Sequence, residues 1–203
     1  RGLGDVYKRQ GLTGFSILRT MLWDLRGVAK FVRGLVARKR EQPGEDLLSA
    51  LIEVEEEGDR LSEDELVAMV FLLVVAGFET TVHQIANGTA ALLDHPDQLA
   101  RLRGGEASWE TAADELVRFC GPVGGTKPNY PIEDVEIGGV LVPRGTPVMP
   151  LLGAANRDPK VFDDPDALDV SRDPNPHLGF GFGAHFCLGR PLALMETRTA
   201  LRL

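Results

Sequence analysis

The chain has 203 residues, 43% hydrophobic and 26% charged, and 22 Lys+Arg against 30 Asp+Glu leave a formal net charge of −8. These values allow a globular core that needs no disulfide staples, and two cysteines, Cys120 and Cys187, form at most one bridge, which argues against a secreted disulfide scaffold and for a reducing, cytoplasmic compartment. An acidic chain makes a poor nucleic-acid binder, and the longest apolar run, residues 66–78, falls short of the roughly 18–20 residues that span a bilayer, so neither nucleic acid nor membrane is expected as a partner.

Residues 1–10, RGLGDVYKRQ, lack the periodicity of the neighbouring chain and carry no secretory pattern, so they are expected to be a non-native leader to a domain occupying 11–203. From Leu25 the apolar residues Val28, Ala29, Val32, Leu35 and Val36 recur at helical spacing, with basic residues between them. The acid-rich stretch 41–65 reads as a solvated face, and within it Leu47, Leu48, Leu51 and Ile52 mark a second helix ending near Gly58. Ser62 followed by Glu65 is a capping-box signature, which predicts a helix from there to about Leu93, roughly 45 Å long at about 1.5 Å per residue. Its first half is apolar on every side, so it is expected to run through the middle of the protein. A short helix should follow Pro96, and another should run from Trp109 to Phe119 and stop at Gly121-Pro122. Eleven of the thirteen prolines lie from Pro122 to Pro191, and this part of the chain is loop-rich. Val135-Glu136-Ile137 and Val140-Leu141-Val142 flank Gly138-Gly139 as a two-residue hairpin, residues 159–176 read as irregular, and a last helix begins after Cys187 with Pro191 in its first turn.

Three constellations carry chemistry. The stretch FGFGAHFCLG places Phe180, Gly181, Gly183, His185, Cys187 and Gly189 at the entrance to that last helix. Backbone N–H groups of the first turn and the positive helix end favour a thiolate there, and the glycines permit close approach of a flat ligand. A zinc site would need four ligands, and no paired C-x-x-C or H-x-x-x-H spacing exists to supply them. In the second, AGFETT, the polar residues Glu79 and Thr80 follow Gly77 halfway along the long apolar helix; Thr80 bonded to the Ala76 carbonyl and Glu79 paired with a cation would be an ordinary account of them. The third, Glu115 and Arg118, sets opposite charges three apart, a pattern any exposed helix could show.

FGFGAHFCLG matches every fixed position of F-x-x-G-x-[HR]-x-C-x-G and resembles the haem-binding loop of the cytochrome P-450 superfamily. AGFETT resembles A-G-x-[DE]-T-[TS] of its long central helix, ELVR resembles its E-x-x-R pair, and EDVEIGG and the turn 155–159 are similar to bacterial members. The resemblance covers about residues 25–203. It implies a mainly α fold with small β-sheets, specifically the C-terminal half of the P-450 fold with long central helix, E-x-x-R helix, irregular meander and Cys loop. It implies haem b with Cys187 as axial thiolate, Phe180 packed beside it and His185 reaching a propionate. Glu79 becomes the acid of a proton relay, Thr80 the residue that orients water and the oxygen being activated, Gly77 the space for O₂ and substrate, and Glu115 with Arg118 a structural lock. The central helix is implied to open locally at this motif.

The implied activity is a haem-thiolate monooxygenase oxidising a hydrophobic small molecule, with residues 69–76 and 122–126 lining the pocket. No G-x-G-x-x-G motif is present, so electrons are expected from a ferredoxin and its NAD(P)H-dependent reductase, docked on Arg101, Arg103, Arg190 and Arg198 or on no specific face at all. Other haem-thiolate chemistry (peroxygenase, isomerase, nitric oxide reductase), haem binding without catalysis, and a chain too short to fold are the alternatives, because family members are about twice this long. Two positions depart from relatives: Asn129 stands where many carry a propionate-binding Arg, with Lys127 the nearest substitute, and Ala167 stands where an Arg is expected to complete a Glu-Arg-Arg network, with Arg172 the candidate to compensate.

Overall fold

The computed structural model of the chain describes residues 14–56 and 61–203. The helices in order are α1 (Gly14–Glu41), α2 (Leu47–Glu56), α3 (Glu63–Asp94), α4 (Pro96–Arg103), α5 (Trp109–Cys120), α6 (Leu152–Ala155) and α7 (Arg190–Arg202), with strands β1 (Val135–Ile137) and β2 (Val140–Val142) between α5 and α6. The chain divides into two compact units, one up to Ala76 and one from Gly77 to Leu203, and the division falls inside α3. The leader 1–10 and the expected helix end at Gly58 lie outside the described residues.

In the first unit α1 packs on α2 around Val32, Val36, Ile52, Leu66, Val67 and Val70. Helix α1 starts well before Leu25. Phe15, Leu18 and Leu22 continue the same apolar spacing in the sequence, and that continuation is the signal that a start at Leu25 overlooks. Asp46 caps α2 by accepting the Ser49 N–H at 3.1 Å, and its carboxyl is held below the usual value by the Lys39 ammonium first and the Ser49 amide second. The capping box at α3 closes in both directions. The Ser62 N–H donates to Glu65 Oε2 at 2.8 Å and the Glu65 N–H donates to Ser62 Oγ at 3.4 Å.

In the second unit the core gathers Ala91, Leu92, Leu102, Ala112, Leu116, Leu168 and Val170, with Trp109, Phe119 and Leu201 packed against it. Gly88 is the point of close approach. A Cβ there would stand 3.4 Å from a methyl of Leu116 on α5 and 3.5 Å from one of Leu201 on α7. Ser108 caps α5 by accepting the Thr111 N–H at 3.0 Å. Strands β1 and β2 pair antiparallel with Glu136 opposite Leu141. Gly138 and Gly139, at φ 59° and 81°, form the two-residue turn that requires both residues in the left-handed region. Residues 159–176 contain no helix or strand, while the four-residue α6 had no sequence signal strong enough to stand out.

Helix α3 departs from expectation in three ways. Its middle is not enclosed: Leu72, Val74, Val75, Phe78 and Val82 are exposed, because the first core reaches only as far as Val70 and the second begins to cover the helix at Gln84. The helix also runs unbroken through the Ala76–Thr81 motif. Gly77, Thr80 and Thr81 are weak helix formers, but none removes a backbone donor as a proline would. Finally, its most apolar 18 residues average a hydropathy of 1.9, so on length and composition alone it could cross a membrane, contrary to a count of uninterrupted apolar residues; the core helix of a soluble protein passes the same test.

The core assignment predicts that Leu116→Ala costs about 2–5 kcal/mol in denaturant unfolding, the usual range for a deleted core leucine. Phe78→Ala, at an exposed position of α3, is expected to change it by less than about 0.5 kcal/mol.

Candidate functional site

Residues 177–190 form a tight structure leading into α7. Leu178 N–H donates to Asn156 Oδ1 at 2.7 Å, Gly181 N–H to the Leu178 carbonyl at 2.8 Å, and Cys187 N–H to the Phe180 carbonyl at 2.9 Å. Between the last two the chain makes a 3₁₀ turn at Gly183–His185. Gly181 and Gly183 both adopt φ 76°, which side chains rarely allow, and beyond Gly183 a Cβ would meet nothing within 4 Å. Gly189 has an ordinary φ of −80°, and its role is space, since a Cβ there would lie 3.8 Å from Cys187 Sγ. Cys187 and His185 are exposed, and so are the neighbouring apolar side chains Phe182, Phe186, Leu188, Leu192 and Met195.

The two cysteines are free and differ in chemistry. Cys120 lies within the second core, where its thiol donates to the Leu116 carbonyl at 3.2 Å; burial first, with the nearby Glu115 carboxylate, pushes it up to about 11 against the counteracting Arg157. It stays protonated. Cys187 is the thiol open to a ligand. Among the described residues no three His, Cys, Asp or Glu side chains cluster as a metal-binding set.

Phe180 is half-buried. The His177 ring flanks it at 5.9 Å between centroids, and the Arg190 guanidinium lies 5.7 Å from its centre. Both neighbours converge on Asp114 of α5. His177 Nε2 lies 3.0 Å from Asp114 Oδ1, and Arg190 Nη2 donates to Oδ1 and Oδ2 at 2.8 and 3.0 Å. The Gly179 N–H donates to His177 Nδ1 at 3.1 Å, so Nε2 carries the proton that faces the carboxylate. Burial by itself would raise the Asp114 carboxyl, but His177 and Arg190 outweigh it and hold it below the usual range. Sequence reading missed Asp114 and His177. The signal available was Arg190 itself, a cation in the first turn of a helix, where the backbone dipole disfavours it unless an acid sits nearby.

One residue along α5, Glu115 and Arg118 form an ion pair whose side chains are 0% exposed. All five guanidinium donors are used. Nε donates to Glu115 Oε2 at 2.7 Å, Nη2 to Glu115 Oε1 and the Ala167 carbonyl, and Nη1 to the carbonyls of Asn156 and Pro165. Glu115 also accepts from Asn175 Nδ2 at 3.0 Å, from the Asp169 N–H at 3.0 Å and from Arg172 Nε, the nearer oxygen at 3.2 Å. The network therefore does not need an Arg at 167. Ala167 contributes its backbone carbonyl, and Arg172 supplies the second guanidinium.

The other expected residues are spread over three places. Gly77, Glu79 and Thr80 lie in the same compact unit as the cysteine loop, with Gly77 and Glu79 exposed and Thr80 half-buried. Asn129 uses its backbone in a bridge with Val148, two N–H···O bonds of 2.8 Å, and its exposed amide lies 3.4 Å from the Lys127 carbonyl. Of the four arginines expected as a basic docking face, three are paired within the chain. Arg101 bonds Asp169 at 3.0 Å and Ser171 at 2.7 Å, Arg190 bonds Asp114, and Arg198 lies 3.7 Å from Glu110, so three of the four cations already have an intramolecular acid.

Known proteins resemble this chain in sequence and in fold. A family model described as Cytochrome P450 matches residues 27–104 and 110–203. The 6-deoxyerythronolide B hydroxylase of Saccharopolyspora erythraea is 49% identical over 178 residues, 87% of this chain and 44% of that protein. Cytochrome P450 monooxygenase PikC of Streptomyces venezuelae is 47% identical over 173 residues, 85% of this chain and 42% of that one. The solved structure of myxobacterial cytochrome P450 CYP267B1 in complex with myristic acid superposes with a TM-score of 0.85 at 42% identity, covering 93% of this chain and 47% of that one. The chain spans less than half the length of these relatives.

The site makes two outcomes measurable. Arg118→Lys keeps the charge but offers three donors for five places, so it should destabilise the chain by about 3 kcal/mol or more in urea unfolding. In ligand-free protein at pH 8, iodoacetamide should modify Cys187 and spare Cys120, whose thiolate fraction is then about one part in a thousand; Cys187→Ser should abolish uptake.

Proposed function

Since the chain belongs to the cytochrome P450 family, we propose that it carries out haem-thiolate monooxygenase chemistry: one atom of O₂ enters a hydrophobic small molecule and the other leaves as water. The observation that carries this reading is the exposed Cys187 thiol at the head of α7, on a loop whose two left-handed glycines set a tight path and whose Gly183 opens on free space. Haem b fits these residues, because a flat apolar ligand needs a backbone without side chains on its approach and apolar cover around it. Gly181, Gly183 and Gly189 meet the first need, and the exposed Phe182, Phe186 and Leu188 meet the second.

When bound, haem with a thiolate ligand supplies O₂ activation, since the thiolate pushes electron density towards O–O cleavage. Cys187 gives the sulfur, Phe180 packs beside it and His185 holds a propionate. Thr80 orients water through its Oγ1 hydroxyl, and the Glu79 carboxylate passes protons inward from solvent, to which it is exposed. Gly77 keeps α3 free of a side chain where O₂ and substrate must pass; no Cβ contact would form there within 4 Å. Glu115 and Arg118 act as a structural pair and take no part in the chemistry.

The electrons come from a ferredoxin-type carrier and its NAD(P)H-dependent reductase, and the enzyme works in the cytoplasm, where two free thiols persist. Relatives named for 6-deoxyerythronolide B hydroxylation and for polyketide biosynthesis support a substrate of the polyketide kind. That class gives the first probes.

The reading is tested by producing the protein with haem and recording the reduced carbon monoxide spectrum. A thiolate-type Soret band is expected, and its loss in Cys187→Ser identifies the ligand; a band that survives this substitution refutes the assignment. Thr80→Ala should keep the band while diverting O₂ to peroxide, and Glu79→Gln should slow turnover by about a hundredfold. Unchanged coupling of O₂ to product in Thr80→Ala would remove the relay from the mechanism.

A further inference from the structure

Asp114 and Glu115 are neighbours on α5, and successive helical residues point about 100° apart. Glu115 serves the buried network of Arg118 and Arg172, whereas Asp114 faces the cysteine loop. Arg190 opens α7, where the helix dipole opposes a cation, and its two bonds to Asp114 offset that opposition. His177, 4% exposed at its side chain, reaches the same carboxylate from the other end of the loop. The ring between these two side chains belongs to Phe180, and the Phe180 carbonyl holds the Cys187 N–H at 2.9 Å. A single carboxylate thus fixes both flanks of the residue that fixes the sulfur's own backbone. The amide of Arg190 in turn donates to the Cys187 carbonyl at 3.3 Å, so the guanidinium and the thiol sit at opposite ends of one short segment.

Resting on the haem-thiolate reading above, we propose that Asp114 is a positioning residue for the sulfur ligand. Through His177 and Arg190 it holds the Phe180–Cys187 pairing in one geometry, and it neutralises the guanidinium charge next to that pairing. The second role has a sign. Removing the carboxylate leaves Arg190 uncompensated, and a net positive charge near the iron disfavours its more positive, oxidised form, so the midpoint potential rises. Removing the guanidinium leaves the carboxylate in excess, and the potential falls. Neutralising both restores the balance, so the two opposite shifts cancel.

The test uses the haem-loaded protein with four chains: wild type, Asp114→Asn, Arg190→Gln and the double variant. The midpoint potential of the iron should rise in the first single variant, fall in the second and return towards wild type in the double. Shifts of the same sign, or none, overturn the charge role. Hydrogen exchange at the Cys187 amide, measured in both haem-loaded and haem-free protein, should be about tenfold faster in Asp114→Asn, as expected for loss of a charged hydrogen bond that orders the pairing. Unchanged exchange overturns the positioning role whatever the haem spectrum shows. A wild type without the thiolate-type carbon monoxide band, by contrast, defeats the haem-thiolate reading and leaves the exchange result to decide whether Asp114 orders the loop.

Discussion

The second unit depends on the burial of one charged pair. Glu115 and Arg118 are both removed from solvent, and an unpaired charge in such a place would cost several kcal/mol. Here the pair is surrounded by groups that complete its hydrogen bonding, and those groups come from residues 156–175, the part of the chain with the least regular structure. Irregular backbone cannot satisfy its own carbonyls through a helical or sheet ladder. Arg118 supplies three of the missing donors, to Asn156, Pro165 and Ala167. The loop-rich segment is therefore ordered by a helix that never leaves the core, and Leu168 and Val170 are drawn into that core as a consequence.

From this anchor the order propagates to the cysteine. Asn156 accepts from Arg118 with its carbonyl and from the Leu178 amide with its side chain, Leu178 accepts from Gly181, and Phe180 accepts from Cys187. Each link is an ordinary hydrogen bond of 2.7–2.9 Å. Their value lies in their succession: a thiol exposed on a glycine-rich loop would otherwise sample many positions, because glycine has the most conformational freedom to lose. The loop carries its own strain-free solution for the tight path at Gly181 and Gly183, and the rest of its rigidity is borrowed from α5.

Most of the fold was legible because it rests on local signals. The capping box at Ser62, the Gly138-Gly139 turn, the helix from Trp109 that stops before Gly121-Pro122 and the proline-rich change of texture are each decided within a few residues. The motif residues were legible as a pattern, and the structure gathers those of α3, α5 and the cysteine loop into one unit. What escaped was long-range. Asp114 meets His177 and Arg190 across 63 and 76 positions, and nothing in the spacing of a single acid on a helix announces such partners. Arg172 was only one candidate beside the gap at Ala167, since the choice depends on how the irregular segment folds back on Glu115. The exposure of Leu72, Val74 and Phe78 was misread for the opposite reason: hydropathy reports what a side chain prefers, and the neighbours that provide cover are a property of the whole assembly.

The back-to-back arrangement of carboxylates on α5 makes this helix intolerant of changes in length. A single codon inserted ahead of Asp114 within the helix would rotate everything after it by about 100°, swinging one acid off the cysteine loop and the other out of its guanidinium nest together. The β1–β2 hairpin, whose strands are almost wholly at the surface, has no such double obligation. Among related genes, insertions and deletions should accumulate around the hairpin and be purged from Trp109 to Cys120, a pattern of gaps set by the geometry of one helical turn.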